Sequence, residues 1–222
     1  MADNYVITIS RQHGSCGNKI GKMTADRLGI PFYDYKLIRM ASDRSGISEH
    51  LFGAADEDVH RMKLFNAANK VYTGKLLPPD SDEFTSDLNL FTFQAEIIKE
   101  LAGNESCVIV GNESCVIVGR CADYLLRERP NVLRVFIHAP LEDRVKQQMY
   151  VLPQKTEAEV RRHVLTTDKK RADYYRRYTG SHWMSAEHFD ISIDSSRHPG
   201  DEAVDIIINS LDVMFKINAL ER

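Results

Sequence analysis

Cysteines are few in this sequence, and their spacing does not indicate a site. Four of them are spread over 222 residues, and no two have C-x-x-C spacing. This pattern predicts neither a zinc site nor a disulfide framework. We therefore expect reduced thiols, as in the cytoplasm.

Long apolar runs are also missing. No stretch approaches the roughly 18 consecutive apolar residues of a membrane-spanning helix. The first residues lack the basic and apolar regions of a secretory signal. We expect a cytoplasmic protein that has no membrane partner.

Two common hydrolase motifs, G-x-S-x-G and H-E-x-x-H, do not occur, so an esterase or a zinc protease is not supported. The net charge of −3 does not suit binding of a polyanion by the whole protein, and no nucleic-acid partner is expected. The residues are 43% hydrophobic and 27% charged, which is typical of a soluble globular protein. The length fits one domain with a small insertion, and the sequence does not indicate an oligomeric state.

Short apolar runs alternate with segments of helical periodicity. The strand candidates are residues 5–9, 115–118, 132–137 and 189–193, with a short one at 31–33. Most of these runs are almost continuously apolar, as expected of strands that are buried on both faces. Helices between them favour crossover connections, so the sequence predicts an α/β fold with a mostly parallel sheet.

The predicted helices carry recognisable end signals. Asp34 stands before the helical segment 35–45, and Gly46 follows it. Pro140 suits the first turn of the helix predicted after the strand candidate 132–137. Thr156 and Glu159 have the spacing of a capping box, which predicts a helix to about residue 175. A last helix is predicted over residues 201–215, and residues 73–87 as a long mobile connection.

The octapeptide GNESCVIV occurs twice in tandem, at residues 103–110 and 111–118. Two buried parallel strands cannot be joined by so short a link. We predict that the second copy forms the core strand, because Gly119 and Arg120 follow it directly. The first copy is then extra material: an extended loop, an added edge segment or a longer preceding helix.

The segment after the first strand has the composition of an anion-binding loop. A glycine-bearing turn leads into a helix that runs to about residue 28, so backbone N–H groups and the positive helix end face one spot. A plain strand-to-helix turn with glycines for packing is the alternative. The cations and serine in the segment favour phosphate, and the predicted phosphate-binding residues are Gly14, Ser15, Cys16, Gly17, Asn18 and Lys19.

The segment nevertheless departs from the phosphate-loop signature G-x-x-x-x-G-K-[ST]. If Gly14 and Ser15 take the Gly-Ser positions of the usual kinase loop, Arg11 replaces the first glycine. Gly17 then stands where the lysine belongs, and Asn18 where the magnesium-binding hydroxyl belongs. Either Lys19 or Arg11 supplies the missing charge, or phosphoryl transfer is weak.

Five segments together resemble the cytidylate kinase-like family of P-loop nucleoside monophosphate kinases. They are SRQHGSCG at 10–17, GIPFYD at 29–34, CVIVGRCADY at 115–124, RVFIHAPLEDR at 134–144 and TDKKRADYY at 167–175. The resemblance implies a three-layer α/β/α P-loop NTPase-like fold with a five-stranded parallel sheet. It also implies a core of residues 1–47, 101–150 and 186–222, a nucleotide-binding insertion at about 48–100, and a lid at about 151–180.

The resemblance further implies an enzyme that transfers the γ-phosphate of ATP to CMP or dCMP with Mg²⁺, and it assigns no metal-ligating residue. It gives acceptor-binding roles to Asp34, Arg39 and Arg120, lid roles to Asp168 and Arg171, and an adenine-side role to Asp194, Ser195 and Ser196. Arg11, Lys19, Arg144 and Arg171 are the catalytic candidates. Simpler roles stay open: a helix cap for Asp34, a surface ion pair for Arg120, a solvated helix face for Arg39, and a turn at 194–196.

Two other functions remain open from the sequence. A nucleotide-binding sensor or partner protein that has lost catalysis is compatible with Gly17 at the lysine position. An RNA-binding protein is compatible with residues 144–177, which hold ten Lys or Arg against four acids.

Overall fold

A computed structural model describes residues 4–55, 74–76, 78–79, 83–103 and 114–220. Its centre is a sheet of five strands in the order β2-β3-β1-β4-β5, and all neighbouring strands are parallel. The strands are β1 Val6–Arg11, β2 Phe32–Tyr33, β3 Cys115–Val118, β4 Val132–His138 and β5 Ile191–Asp194. The predicted five-stranded parallel sheet is confirmed.

Strand β1 lies in the middle of the sheet and is buried along its whole length. Val6 is in register with Cys115 on one side and with Val132 on the other. Because the strand order reverses beside β1, the carboxyl ends of β1, β3 and β4 border the crevice where open α/β sheets bind ligands.

Helices cover both faces of the sheet, which confirms the three-layer α/β/α architecture. Helices α1 and α8 pack on the face that Ile7 and Ile9 present, and α2 and α4 pack on the face of Val6. Part of α7 joins α4 on that second face. The helices are α1 Gly17–Leu28, α2 Lys36–Ser45, α3 Glu49–Ala55, α4 Asp87–Leu101, α5 Ala122–Leu125, α6 Leu141–Val151, α7 Glu157–Thr179 and α8 Asp201–Leu220.

Two predicted helix ends are confirmed and one is wrong. Thr156 and Glu159 form the capping box at the start of α7, and Gly46 ends α2 with a left-handed φ of 70°. Asp34 does not cap α2: the N-cap residue is Tyr35, and no side-chain capping bond forms. The Asp34 carboxylate instead binds Asn18 and Arg120.

Several elements differ in length from the prediction: α8 reaches Leu220 rather than residue 215, and β1 ends at Arg11 rather than at residue 9. Helix α7 passes residue 175 and reaches Thr179, because Tyr178 is buried one turn further along and stacks on Phe91 at 4.0 Å. Strand β5 begins at Ile191, since a 3₁₀ turn at Ala186–His188 precedes it. The backbone N–H of Asp190 still donates to Arg134 O, at 2.8 Å.

The second copy of the tandem octapeptide forms the core strand, as predicted. Its residues Cys115–Val118 are β3, which lies between β2 and β1. The first copy lies outside the described residues from position 104 onward. In the predicted mobile connection 73–87, the described residues before Asp87 form bends and turns, and the mobility itself stays a prediction.

Parts of the predicted insertion and lid belong to the packed core. Helix α4 contributes Leu90, Phe93 and Ile98, and the second half of α7 contributes Tyr174 and Tyr178. We therefore expect any movable insertion to exclude α4, and any movable lid to exclude the buried half of α7. Within the described ranges, no helix is long and apolar enough to cross a membrane.

Candidate functional site

The last residue of β1 and the turn into α1, residues 11–16, form a tight loop over the carboxyl end of the sheet. Gly14 has a φ of 82°, and a Cβ at this position would lie 2.7 Å from the carbonyl oxygen of Arg144. Glycine is therefore needed here both for its backbone angle and for the close approach of α6. Cys16 caps α1 with a φ of 60°, a strained angle for a residue with a side chain.

Ser15 holds the loop in shape from the inside. It is buried, and its hydroxyl donates to the carbonyl of Gln12 at 2.8 Å, with the carbonyl of Ile137 at 3.1 Å. Its backbone N–H also donates to the carbonyl of Gln12, at 3.3 Å, so both donors of Ser15 are used within the loop, and its phosphate-binding role stays a prediction. The first N–H groups of α1 carry the partial positive charge of the helix dipole.

A cavity of about 720 Å³ opens beside the loop. It brings the exposed Lys19 together with two of the predicted adenine-side residues, Ser195 and Ser196. Its other lining residues include Gly14, Cys16, Asp143, Lys146 and Tyr150.

Asp194, the third predicted adenine-side residue, does not line this cavity and borders a second one along β5. Its Oδ1 accepts hydrogen bonds from the backbone N–H and the hydroxyl of Ser196, at 3.0 and 2.7 Å. These bonds lower the pKa of the Asp194 carboxyl. The carboxylate therefore stabilises a turn at residues 194–196. This turn was the simpler role considered for these residues.

Asp34 connects the start of α1 with the end of β3. Its Oδ2 accepts a hydrogen bond of 2.6 Å from Asn18 Nδ2, and its Oδ1 lies 3.5 Å from a terminal nitrogen of Arg120. Asn18 in turn accepts a hydrogen bond of 2.8 Å from Nε of Arg11. The structure thus brings together four predicted site residues from three different strand ends.

The backbone at Arg120 has an unusual conformation. Gly119, Arg120 and Cys121 follow β3 with φ angles of 74°, 54° and 56°, so the chain makes a short left-handed turn. Left-handed angles cost about 1–2 kcal/mol for each residue with a side chain. Arg120 is only 1% exposed, so the surface ion pair considered for it is wrong. Strain of this kind concentrates at functional sites.

Arg39 is not part of this cluster. It is exposed on α2, and no contact of the described residues joins it to the loop. Its acceptor-binding role stays a prediction. Tyr35 was missed, although it directly follows Asp34: the Arg120 guanidinium lies over its ring, 5.6 Å from the centroid.

Three predicted residues of the lid and of α6 bind the backbone of the loop. Asp168 accepts a hydrogen bond of 2.7 Å from the N–H of His13 and pairs with Arg144 at 2.5 Å. Arg144 also donates to His13 O at 3.1 Å, and Arg171 donates to Arg11 O at 3.1 Å. Burial raises the pKa of the Asp168 carboxyl, against the effect of its hydrogen bond and its cationic neighbours.

A family model matches nearly the whole length of the fold described above. The model of the cytidylate kinase-like family matches residues 6–197, which is most of the chain. The chain belongs to the cytidylate kinase-like family. Membership of this family supports a kinase-like protein that uses nucleotides.

Solved structures show how widely the fold is shared. An uncharacterized protein from Eubacterium ventriosum ATCC 27560 is 25% identical, with a TM-score of 0.66, and the match covers 94% of this chain and 99% of that one. Shikimate kinase from Bacteroides thetaiotaomicron is 13% identical, with a TM-score of 0.51, over 96% and 98% of the two chains. The second likeness concerns the fold alone. No curated protein matches this member of the cytidylate kinase-like family.

A buried carboxylate of this cytidylate kinase-like protein was missed by the sequence analysis. Asp123 lies on α5, three residues after Arg120, and accepts hydrogen bonds from Ser10 Oγ at 3.2 Å and Tyr175 Oη at 2.7 Å. Tyr175 also lies 3.3 Å from His188 Nδ1. Burial raises the pKa of the Asp123 carboxyl. The only signal in the sequence was an acid next to the apolar strand.

The basic stretch 144–177 does not form one exposed cationic face. Arg144 and Arg171 are buried against the loop, and Arg161 pairs with Glu142 on the surface. In the part of the chain that the structure describes, no group of three His, Cys, Asp or Glu side chains could hold a metal ion.

Proposed function

We propose that this protein is a cytoplasmic nucleoside monophosphate kinase that transfers the γ-phosphate of ATP to a CMP-like or dCMP-like acceptor. One observation carries the proposal. Asn18 at the start of α1, Asp34 after β2 and Arg120 after β3 form a continuous chain of contacts at the carboxyl edge of the sheet. An anion-binding helix end thus adjoins a buried guanidinium, as transfer between two phosphates requires.

The donor nucleotide has room beside the loop. The cavity of about 720 Å³ is within the usual range for small-molecule sites. In this proposal the ATP phosphates lie over the N terminus of α1, and the base extends toward Ser195 and Ser196. Lys19 faces the same cavity and adds positive charge along the phosphates.

In this proposal the acceptor nucleotide binds on the side of α1 where Asp34 and Arg120 lie. Arg120 binds its phosphate through the planar guanidinium, which suits phosphate oxygens. Asp34 receives the sugar hydroxyls, and an acid there favours a nucleotide over a bare phosphate ester. Because burial and the left-handed turn fix Arg120, little conformational freedom is lost when the acceptor binds.

Two further arginines, Arg144 and Arg171, lie against the loop. Arg144 and Arg171 both donate to loop carbonyls, so their positive charge is already beside the anion site. Catalysis would consist of positioning and neutralisation of charge, with no covalent enzyme intermediate. Asp168 fixes this arrangement by binding the loop and Arg144 together.

Mg²⁺ fits this site when it binds together with the nucleotide phosphates. The candidate oxygen ligands are Asn18 Oδ1 and the Asp34 carboxylate, which accept hydrogen bonds from Arg11 and Asn18 and keep further lone pairs. The Ser15 hydroxyl donates to the Gln12 carbonyl inside the loop. Mg²⁺ needs only one or two protein ligands when phosphates and water supply the rest. Asn18 and Asp34 would hold it, and it would supply positive charge that neutralises the phosphates.

An acceptor panel tests the proposal. The purified protein is incubated with ATP, Mg²⁺ and one of CMP, dCMP, UMP, AMP or GMP, and nucleoside diphosphate formation is measured beside binding of each nucleotide. We expect turnover with CMP or dCMP above the others. Binding of ATP and CMP without turnover would favour the sensor, which Gly17 at the lysine position motivates. The absence of both turnover and binding would contradict the proposal.

A further inference from the structure

Gly17, at the position of the usual lysine, has no room for a side chain. It is the buried first residue of α1, and a Cβ added to it would lie 2.4 Å from Cβ and 2.8 Å from Cγ of Arg11. Atoms of this kind do not approach so closely in proteins. Its backbone angle is not the reason for the glycine, because Gly17 is not among the residues with a positive φ. The stem of Arg11 is the reason.

The Arg11 side chain fills the space beside Gly17 from the side of β1. Arg11 is the last residue of β1, where the usual signature has its first glycine, and it is 3% exposed. Its Nε donates to Asn18 Oδ1, so the side chain crosses Gly17 and is directed along the first turn of α1. A cation therefore reaches the helix end from the strand rather than from the helix.

Lys19 is poorly placed to substitute for the same lysine. Two residues correspond to roughly 200° around an α-helix, so positions 17 and 19 lie on nearly opposite sides of α1. Lys19 is exposed toward the donor cavity, whereas the position of the usual lysine faces Arg11.

We propose that Arg11 and Gly17 are a reciprocal exchange of the usual Gly and Lys: Arg11 is the catalytic cation of the loop, and Gly17 is the space it requires. This inference rests on the proposed kinase function for the chemistry of Arg11, while the steric part stands on the contact alone. An arginine keeps its charge at any physiological pH and can bind two phosphate oxygens at once. The loop is thus a phosphate site with an altered set of residues, and not one that has lost its function.

The steric part is tested by thermal unfolding, without any activity assay. Gly17→Ala adds only the Cβ and is expected to lower the melting temperature by about 5 °C or more. In an Arg11→Gly background the same change should lower it by less than about half as much, because the opposing atoms are gone. Arg11→Ala is the matched control: it removes the charge but keeps the Cβ at 2.4 Å, so Gly17→Ala should remain as harmful there.

The chemical part is tested by ATP binding and turnover in the same variants. Arg11→Met keeps the stem without the charge and should lose on the order of 10²-fold or more in turnover. The double variant R11G/G17K should recover at least about tenfold over Arg11→Gly, and R11A/G17K should recover nothing, because its Cβ still blocks position 17. Lys19→Ala should weaken ATP binding less than Arg11→Met does.

The results separate this inference from the proposed function. If the wild type phosphorylates no acceptor, the kinase proposal fails, and the melting temperatures and ATP binding still test the pair. A Gly17→Ala variant as stable as the wild type overturns the steric claim. A larger loss of ATP binding in Lys19→Ala than in Arg11→Met overturns the assignment of the cation.

Discussion

The carboxylate of Asp168, on α7, accepts a hydrogen bond of 2.7 Å from the backbone N–H of His13 in the loop after β1. The other oxygen of this carboxylate pairs with Arg144. One side chain thus joins three elements that are distant in sequence. The loop conformation and the position of α7 are coupled through it, which makes Asp168 the most informative residue for testing how the site is held.

Removing this carboxylate should destabilise the protein. Asp168→Ala leaves the His13 N–H and the largely buried Arg144 without their partner, so we expect the free energy of unfolding to fall by on the order of 3 kcal/mol. Asp168→Asn should cost less, because an amide oxygen still accepts from His13. Urea unfolding gives both values. Glu142→Ala, which breaks the exposed pair with Arg161, should change stability little, and an equal effect in the two alanine variants would contradict this account.

Arg120 should require its guanidinium and not only its charge. Arg120→Lys keeps the cation but loses the planar fork, and we expect kcat/KM to fall on the order of 10²-fold with the panel's best acceptor. Arg127→Lys, at an exposed arginine with no predicted site role, is the matched control, with activity near that of the wild type. Alanine is a poor choice at Arg120, since the side chain is buried and its removal would also test the fold. Similar kinetics in the two lysine variants would remove Arg120 from the site.

Cys16 should be replaceable by glycine without loss of stability. Its φ of 60° costs about 1–2 kcal/mol, which glycine avoids, and this gain offsets the greater freedom of glycine in the unfolded chain. Cys16→Val should lower stability by about 1–2 kcal/mol, because a β-branched side chain tolerates this angle worst. Cys16→Ser, of similar size, serves as the control. Equal melting temperatures for the glycine and valine variants would mean that the angle carries no strain.

Thr8 offers a stabilising substitution. It is buried in β1, and none of the described residues offers a hydrogen-bond partner to its Oγ1. Thr8→Val removes this unsatisfied hydroxyl at nearly constant shape and should raise the free energy of unfolding by about 1 kcal/mol. Thr24→Val is the matched control, because the Thr24 hydroxyl donates to Ile20 O at 2.9 Å. A gain in the control as large as that at Thr8 would show that hydroxyl burial is not the cause.

Asp123 should make stability depend on pH. Burial raises its pKa in the folded state, so the folded protein holds the proton more tightly than the unfolded chain, whose carboxyl titrates near about 3.9. As the pH rises from that value through the folded pKa, the free energy of unfolding should therefore fall, by about 1.4 kcal/mol for each unit of difference. Above the folded pKa the loss is complete and constant.

Asp123→Asn separates this effect from other titrations, including that of Asp168. An amide oxygen can accept from Ser10, and its NH₂ can donate to Tyr175, whose own proton then faces His188. Urea unfolding from pH 4 to 8 should show a flatter profile for Asp123→Asn than for the wild type. Parallel profiles would mean that Asp123 does not titrate differently in the folded state.

The sheet was predictable because its strands are almost purely apolar. Burial on both faces selects such runs, and parallel pairing follows from the helices between them. The end of α7 was predicted too early, since Tyr178 is buried by tertiary contacts that have no signal in the local pattern. The start of β5 was missed for the same reason: a 3₁₀ turn depends on the fold around it.

The convergence of some candidate residues was predictable from the sequence, but their contacts were not. Gly14, Asp34 and Arg120 stand at strand ends, so their convergence follows from the order of the sheet. Sequence cannot show that Asp34 turns away from the helix it precedes and binds Asn18 instead. It also cannot show that the Arg11 stem fills the space above Gly17, because that contact depends on the angle between β1 and α1.

The tandem octapeptide gives this chain two identical candidates for one place in its sheet. The two copies have the same CVIV sequence, so the apolar pattern alone cannot choose between them. What differs is the second residue after each copy: Asn112 follows Gly111 after the first, and Arg120 follows Gly119 after the second. The second copy is the one that places an arginine two residues beyond its strand, so the pairing of this copy with β1 is what brings Arg120 to Asp34.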